Sequence, residues 1–185
     1  MASNAGSGHV VKQIAYVVPD VYLAAERHAE MFGSGPFFLS RHLAFDGHLY
    51  RGQAASVDVD IALGQCGEMQ IELIQLNDDR ASVFREVESR SVNQTRMHHI
   101  CLHPLNLEVK IHECADAGYA VAFDFTTPSG TRIVMLDTLS RLGHFLELYE
   151  RTEEIGDFYD RIKYASVGFD GVGLVRPIST LRANG

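Results

Sequence analysis

Basic clusters are missing from this 185-residue sequence: 16 lysines and arginines stand against 24 aspartates and glutamates, for a formal net charge of −8. Without a stripe of cations interleaved with aromatics, a phosphate backbone cannot be neutralised, and nucleic acid is excluded as an expected partner. Long apolar runs are missing too. None approaches the roughly 18 residues that would cross a bilayer, so no membrane span is expected. Cysteine is scarce: Cys66, Cys101 and Cys114 are an odd number without CxxC spacing, which excludes a fully paired disulfide framework and a structural zinc site of that type. Reduced thiols in a cytoplasmic protein are the expectation. The opening MASNAGSG lacks the basic start and apolar stretch of a secretory signal, and residues 1–11 are expected to form a disordered leader.

What is present is the composition of a folded chain, 46% hydrophobic and 22% charged, so a packed core is expected. KQIAYVV at 12–18 predicts a strand stopped by Pro19-Asp20, and VYLAAERHAEMF at 21–32 predicts a helix with Tyr22, Ala25, Ala29 and Phe32 as its apolar stripe, ended by GSGP. Strands follow at 37–43, 54–64 and 69–76, the last two joined by QCGE. A short connecting helix is predicted over 79–88, capped by Asp78 or Asp79 and packing through Val83, Phe84 and Val87. The pattern then repeats. HHICLHP at 98–104 is a strand ending in proline, residues 106–118 a helix stopped by Gly118, and 119–125, 131–138 and 143–150 are three strands, with Ser140, Arg141 and Leu142 in a loop.

Two copies of one unit, about 85 residues apart, predict an α+β fold of two βαβββ modules, 12–78 and 98–150, joined by a connector at 79–97. Each module buries one sheet face under its own helix and leaves the other face to a shared cleft of curved mixed sheets. An amphipathic stretch at 154–166 predicts a helix within the tail 151–185, docked on the domain or a partner subunit.

Strand parity selects what faces the cleft. In IEL at 71–73 and LEL at 146–148, Glu72 and Glu147 oppose their apolar neighbours; Gln13 opposes Ile14, and His99 opposes Ile100 and His98. Gln13 alone is an ordinary polar residue at a strand start. As one of four it gains meaning, because two carboxylates, an imidazole and an amide oxygen in one cleft repel and desolvate one another unless a cation compensates. This mixed nitrogen and oxygen set suits Zn, Ni, Co, Mn or Fe(II).

QIAYVVPD, MQIELIQL, MHHICLHP and GHFLELYE, the first and last strands of each module, resemble in this order the vicinal oxygen chelate superfamily, which includes glyoxalase I, methylmalonyl-CoA epimerase, extradiol dioxygenases and bleomycin-resistance proteins. The resemblance spans roughly 12–150. It implies that Gln13, Glu72, His99 and Glu147 hold one divalent metal, and that a small-molecule substrate with vicinal oxygens reacts through a metal-stabilised enolate, as in glyoxalase-type isomerases, epimerases and lyases. It further implies Glu147 and Glu72 as catalytic proton carriers, Glu147 foremost, and a homodimer. Val17, Leu76 and Thr95 stand where glyoxalase I holds glutathione with arginine and asparagine, with Asn77 and Arg96 one residue away. GSGPFF and DDRASVFREV resemble a glyoxalase-like branch for which sequence names no substrate.

Cys101, His103 and Phe145 are candidate pocket residues. His9, His28, His42, His48, His112 and His144 are expected at the surface or in packing. GSGP at 33–36 follows a helix and precedes a strand, the reverse of a phosphate loop, and reads as a turn. Two other functions fit the same fold: a ligand-sequestering protein of the bleomycin-resistance kind, and an extradiol-type dioxygenase, which would need a second histidine in place of Gln13.

Overall fold

The computed structural model describes residues 10–45, 47–88 and 94–181. In chain order it contains β1 (Val11–Val17), α1 (Val21–Phe32), β2 (Phe37–Ala44), β3 (His48–Tyr50), β4 (Gln53–Ala55), β5 (Asp58–Cys66), β6 (Met69–Leu76) and α2 (Val83–Glu88). There follow β7 (Arg96–Leu102), α3 (Leu107–Asp116), β8 (Val121–Thr126), β9 (Arg132–Leu136), α4 (Leu139–Leu142), β10 (Phe145–Tyr149), α5 (Glu153–Ser166) and β11 (Val175–Pro177). Residues 1–9 of the expected leader lie outside the described residues, and Val11 already belongs to β1. No described helix is long and apolar enough to cross a membrane.

One curved, unclosed mixed sheet runs in the order β11-β2-β5-β6-β1-β7-β10-β9-β8-β3-β4. Its two halves repeat one pattern: β1 is parallel to β6 as β7 is parallel to β10, and the halves meet through the antiparallel pair β1–β7. The pattern is therefore related by an approximate two-fold axis between β1 and β7. The hairpin β3–β4 leaves the first half after β2 and pairs with β8 of the second, bringing the ends of the sheet towards each other across the cleft.

Each back face is closed by a helix. Val21 and Ala25 of α1 pack on Phe37, Leu39, Ala62, Ile71 and Leu73, while Leu107 and Cys114 of α3 pack on Leu102, Val134, Leu136 and Leu148. Burial of these surfaces, at roughly 25 cal/mol per Å² of apolar area, is what makes short helices persist. Asp20 caps α1 by accepting from the Leu23 amide at 2.9 Å, and Gly33 ends it in the left-handed region, φ 66°. The expected stripe of α1 is rotated: Tyr22 and Phe32 are exposed, and the inward positions are Val21, Ala24, Ala25 and His28. Pro19-Asp20 sets where the helix starts, and its spacing of three and four from Val21 then decides the buried face.

The connecting helix also starts later than its composition suggested. Asp78 is used by the Asp58 and Arg80 amides, so Ser82 takes the capping role, its Oγ accepting from the Arg85 amide at 3.2 Å. Residues 89–93 of the connector lie outside the described residues. The loop around Ser140 contains the single turn α4, closed at Gly143. The strand expected at 54–64 is divided at Ser56-Val57 into β4 and β5, and β3 and β11 had no counterpart in the sequence, because strands of three residues carry too little alternation to register.

Beyond the two halves, α5 lies against β5, with Ile162 as its fully buried residue. Thr152 caps its start and Lys163 near its end pairs with Glu68 at 2.5 Å. Replacing Ile162 by alanine is expected to cost about 2–5 kcal/mol, read as a lowered denaturant midpoint at unchanged slope.

Candidate metal centre and substrate cleft

The four central strands put the chemistry into two rows on the cleft face. One row, read across β6, β1, β7 and β10, is Glu72, Ala15, His99, Phe145; the next is Gln70, Gln13, Cys101, Glu147. The two-fold axis turns one row into the other, pairing Glu72 with Glu147 and His99 with Gln13. The small residues at the interior positions, Ala15 and Cys101, leave room for the long side chains to lean inward. The result is convergence: His99 Nε2 lies 3.2 Å from Glu72 Oε2, 3.1 Å from Glu147 Oε2 and 3.4 Å from Gln13 Oε1. Thus the structure brings together all four residues singled out as ligands in the sequence. Glu72, His99 and Glu147 offer ligand atoms within 4.8 Å of one another, all buried.

One ring nitrogen cannot satisfy three oxygens. An N–H at His99 Nε2 has a single direction, and Glu147 Oε2 is left buried without a hydrogen bond despite its proximity. Burial drives the Glu72 carboxyl above its usual range, against the pull of His99. Burial alone would depress His99, but Glu147 and Glu72 together carry it up to about 10. The point where these atoms meet therefore demands positive charge, a proton in the protein alone, and the donor set, two carboxylates, an imidazole and an amide oxygen, fits a divalent ion.

The surroundings orient the donors. Gln13 Nε2 donates to Gln70 Oε1 at 2.7 Å, which turns Gln13 Oε1 inward. His99 Nδ1 lies 2.7 Å from His98 Nδ1, and His98 Nε2 lies 3.2 Å from the Val83 carbonyl. Burial and the adjacent His99 hold His98 neutral, well below its ordinary range. The compatible arrangement runs one way: His98 donates to Val83, His99 donates to His98, and His99 Nε2 is turned to the centre.

That relay corrects the parity assigned to His98, which was expected on the opposite face from His99. A bulge in β7 makes His98 an extra residue between the pairs Ala15–His99 and Tyr16–Met97. Alternation breaks there, and His98 stacks on Phe84 of α2 and against Phe145, beside His99.

Over the donors lies a cleft of about 290 Å³ bordered by Gln13, Glu72 and Glu147. None of the three pocket candidates lines it. Phe145 is fully buried against His98, because α2 covers its end of β10. Cys101 is sealed beneath Glu147 and Tyr159, and burial raises its thiol well above the usual range, which suits a spacer rather than a nucleophile. His103 lies past the end of β7, packed on Tyr149 and Tyr159 and facing two neighbouring grooves. The sequence reading missed Ile155, Phe158 and Tyr159 of α5, which wall the cleft, and Gln70. Gln70 was accessible to the same parity that selected Glu72, two residues on; the docking position of α5 has no local signal.

A shared cleft between two βαβββ halves defines the vicinal oxygen chelate fold. The family model described as the glyoxalase/bleomycin resistance protein/dioxygenase superfamily matches residues 12–134, and the chain belongs to this superfamily. The match stops short of β10, so the place of Glu147 comes from the fold. Among solved structures, methylmalonyl-CoA epimerase from Mycobacterium tuberculosis superposes with TM-score 0.54 at 15% identity, covering 84% of this chain and 95% of its own. Hypothetical protein BH1468 from Bacillus halodurans C-125 gives 0.53 at 19%, covering 80% and 97%. A methylmalonyl-CoA epimerase in complex with methylmalonyl-CoA and NH4+ gives 0.55 at 16%, covering 80% and 97%. No curated protein matches the chain.

Burial lowers His103 to about 4, with Lys12 and Arg151 adding to the effect over the opposing pull of Glu147. A folded-state value below the unfolded one means that the unfolded chain takes up the proton first, so this residue withdraws stability as pH falls below about 6.5. Between pH 7 and 5 wild type is expected to lose about 1 kcal/mol relative to His103→Gln, a figure discounted for partial exposure, as read from paired denaturation curves. An unchanged gap would contradict the environment described for His103.

Proposed function

We propose that the protein is a metal-dependent isomerase or lyase of the glyoxalase/epimerase kind, in which Gln13, Glu72, His99 and Glu147 hold one divalent ion. The observation that carries the reading is the buried, unpartnered Glu147 Oε2, aimed with three other donors at one point. When bound, the ion would supply Lewis-acid polarisation of vicinal oxygens, which acidifies the C–H next to the polarised carbonyl and stabilises the charge left when its proton departs. Glu147 acts as the proton carrier. Its carboxylate takes a proton from the substrate carbon; return to a neighbouring carbon makes an isomerase, transfer to a leaving group makes a lyase, and epimerisation requires delivery to the opposite face by a second acid such as Glu72. Glu72, its two-fold mate, balances the charge from the other side. Gln13 contributes a neutral donor, held by Gln70, and keeps the centre from becoming a trianion. His98 fixes the His99 tautomer through its Nδ1, and the aromatic walls exclude water from the carbanion's neighbourhood.

Glu72→Ala and His99→Ala are expected to lower divalent-metal affinity by at least about 100-fold, beyond the range of a supporting residue. Titration of metal-stripped protein with Zn or Co, followed by calorimetry, should find one site per chain. Wild type and Glu72→Ala binding equally would end the assignment. His98→Phe preserves the stack on Phe84 but removes the acceptor for His99, and should weaken metal about 10- to 100-fold with little change in fold. In the loaded enzyme, Glu147→Gln should abolish solvent deuterium incorporation into a turned-over ligand while leaving that ligand bound. Binding without exchange in wild type would instead identify a sequestering protein.

A further inference from the structure

The reading above leaves the substrate open, and the cleft narrows it. Its volume, about 290 Å³, is at the small end of organic-ligand pockets. Phe45, Phe84, Phe123, Phe125 and Phe158 line it, and no lysine or arginine does so among the described residues. Glu72 and Glu147 are committed to the donor point, where a dication leaves the group formally neutral. A carboxylate or phosphate entering this space would lose its water and meet no counter-ion, which is costly in apolar surroundings. Beside the hydroxyls of Ser40, Thr127, Tyr149 and Tyr159, the lining holds one buried amide donor without a partner. Gln70 is 1% exposed, its Oε1 is taken by Gln13, and its Nε2 is buried at the cleft without a partner.

We infer that the substrate of this site is an uncharged molecule with an aromatic or aliphatic body and vicinal oxygens at one end, one oxygen accepting a hydrogen bond from Gln70 Nε2. This inference rests on the metal-site reading and adds the class of molecule. The cations that would receive an anionic tail face elsewhere. Lys12 and Arg151, without salt bridges among the described residues, line grooves of about 450 and 280 Å³, and the smaller meets the cleft only at Gln70 and Tyr159. Both an acyl-CoA and a glutathione adduct carry charges that the cleft itself cannot pair.

The test is calorimetric binding to the full chain loaded with Zn, using 2-hydroxyacetophenone, its 4-carboxylate and its 4-sulfonate, with metal content measured on the same samples. The neutral ketone should bind at least about ten-fold more tightly than either anion. Phe125→Arg should reverse the order of ketone and carboxylate, and Gln70→Leu should weaken the ketone by about ten-fold at saturating metal. Anions binding as tightly as the ketone would overturn the inference, and loss of that binding in Lys12→Ala or Arg151→Ala would place their charge in the flanking grooves. Substoichiometric metal would count against the metal-site reading, whereas the ranking of the three probes decides the substrate class by itself.

Discussion

Two carboxylates buried on the same cleft face are the constraint around which the rest is arranged. Each would rather be in water, and each is close enough to the other to raise the cost. His99 between them is the protein's own answer, driven to about 10 by its two neighbours. A proton on one nitrogen nevertheless leaves Glu147 Oε2 unsatisfied, since a single N–H cannot point at three oxygens. A spherical charge has no such direction, and that is the physical sense in which the centre suits an ion better than a hydrogen bond.

The geometry is economical because it is used twice. The antiparallel meeting of β1 and β7 lets one pattern supply both halves of the donor set, with Glu72 and Glu147 as mates. Departures from that symmetry carry the specialisation. Gln13 is the mate of His99, so one side offers a neutral oxygen and the other a ring nitrogen; Gln70 is the mate of Phe145, so one side keeps a free amide and the other a packed ring. The β7 bulge adds His98 on the second side alone.

Elements outside the repeated pattern shape what can enter. The β3–β4 hairpin carries the first half to the edge of the second, and α5 presents Phe158 and Tyr159 to the opening while anchored through Ile162. Neither contributes a residue to the Gln13, Glu72, His99 and Glu147 cluster. The effect of α5 is on water: Ile155, Phe158 and Tyr159 wall a small aromatic space above charged groups, where electrostatic interactions are less screened, while no residue of the hairpin lines it.

Alternation within short apolar strands placed Gln13, Glu72, His99 and Glu147 on one face from sequence, because the period of two is a local property of the pleat, while the resemblance to the superfamily is what singled these four out among the residues of that face. The same rule failed at His98, where an inserted residue suspends the alternation, and at Phe145, whose face was right but whose cover by α2 is a long-range matter. It also gave no access to α5 as a wall, since an amphipathic helix announces that it docks and not where. The sequence by itself determined the longer strands and helices of the two modules, their order and the faces of most of their side chains. Tertiary structure alone decided that Ala15 and Cys101 would be the gaps between the four converging side chains, that His98 would turn towards His99, and that no lysine or arginine among the described residues would line the cleft, because these depend on register between strands distant in the chain.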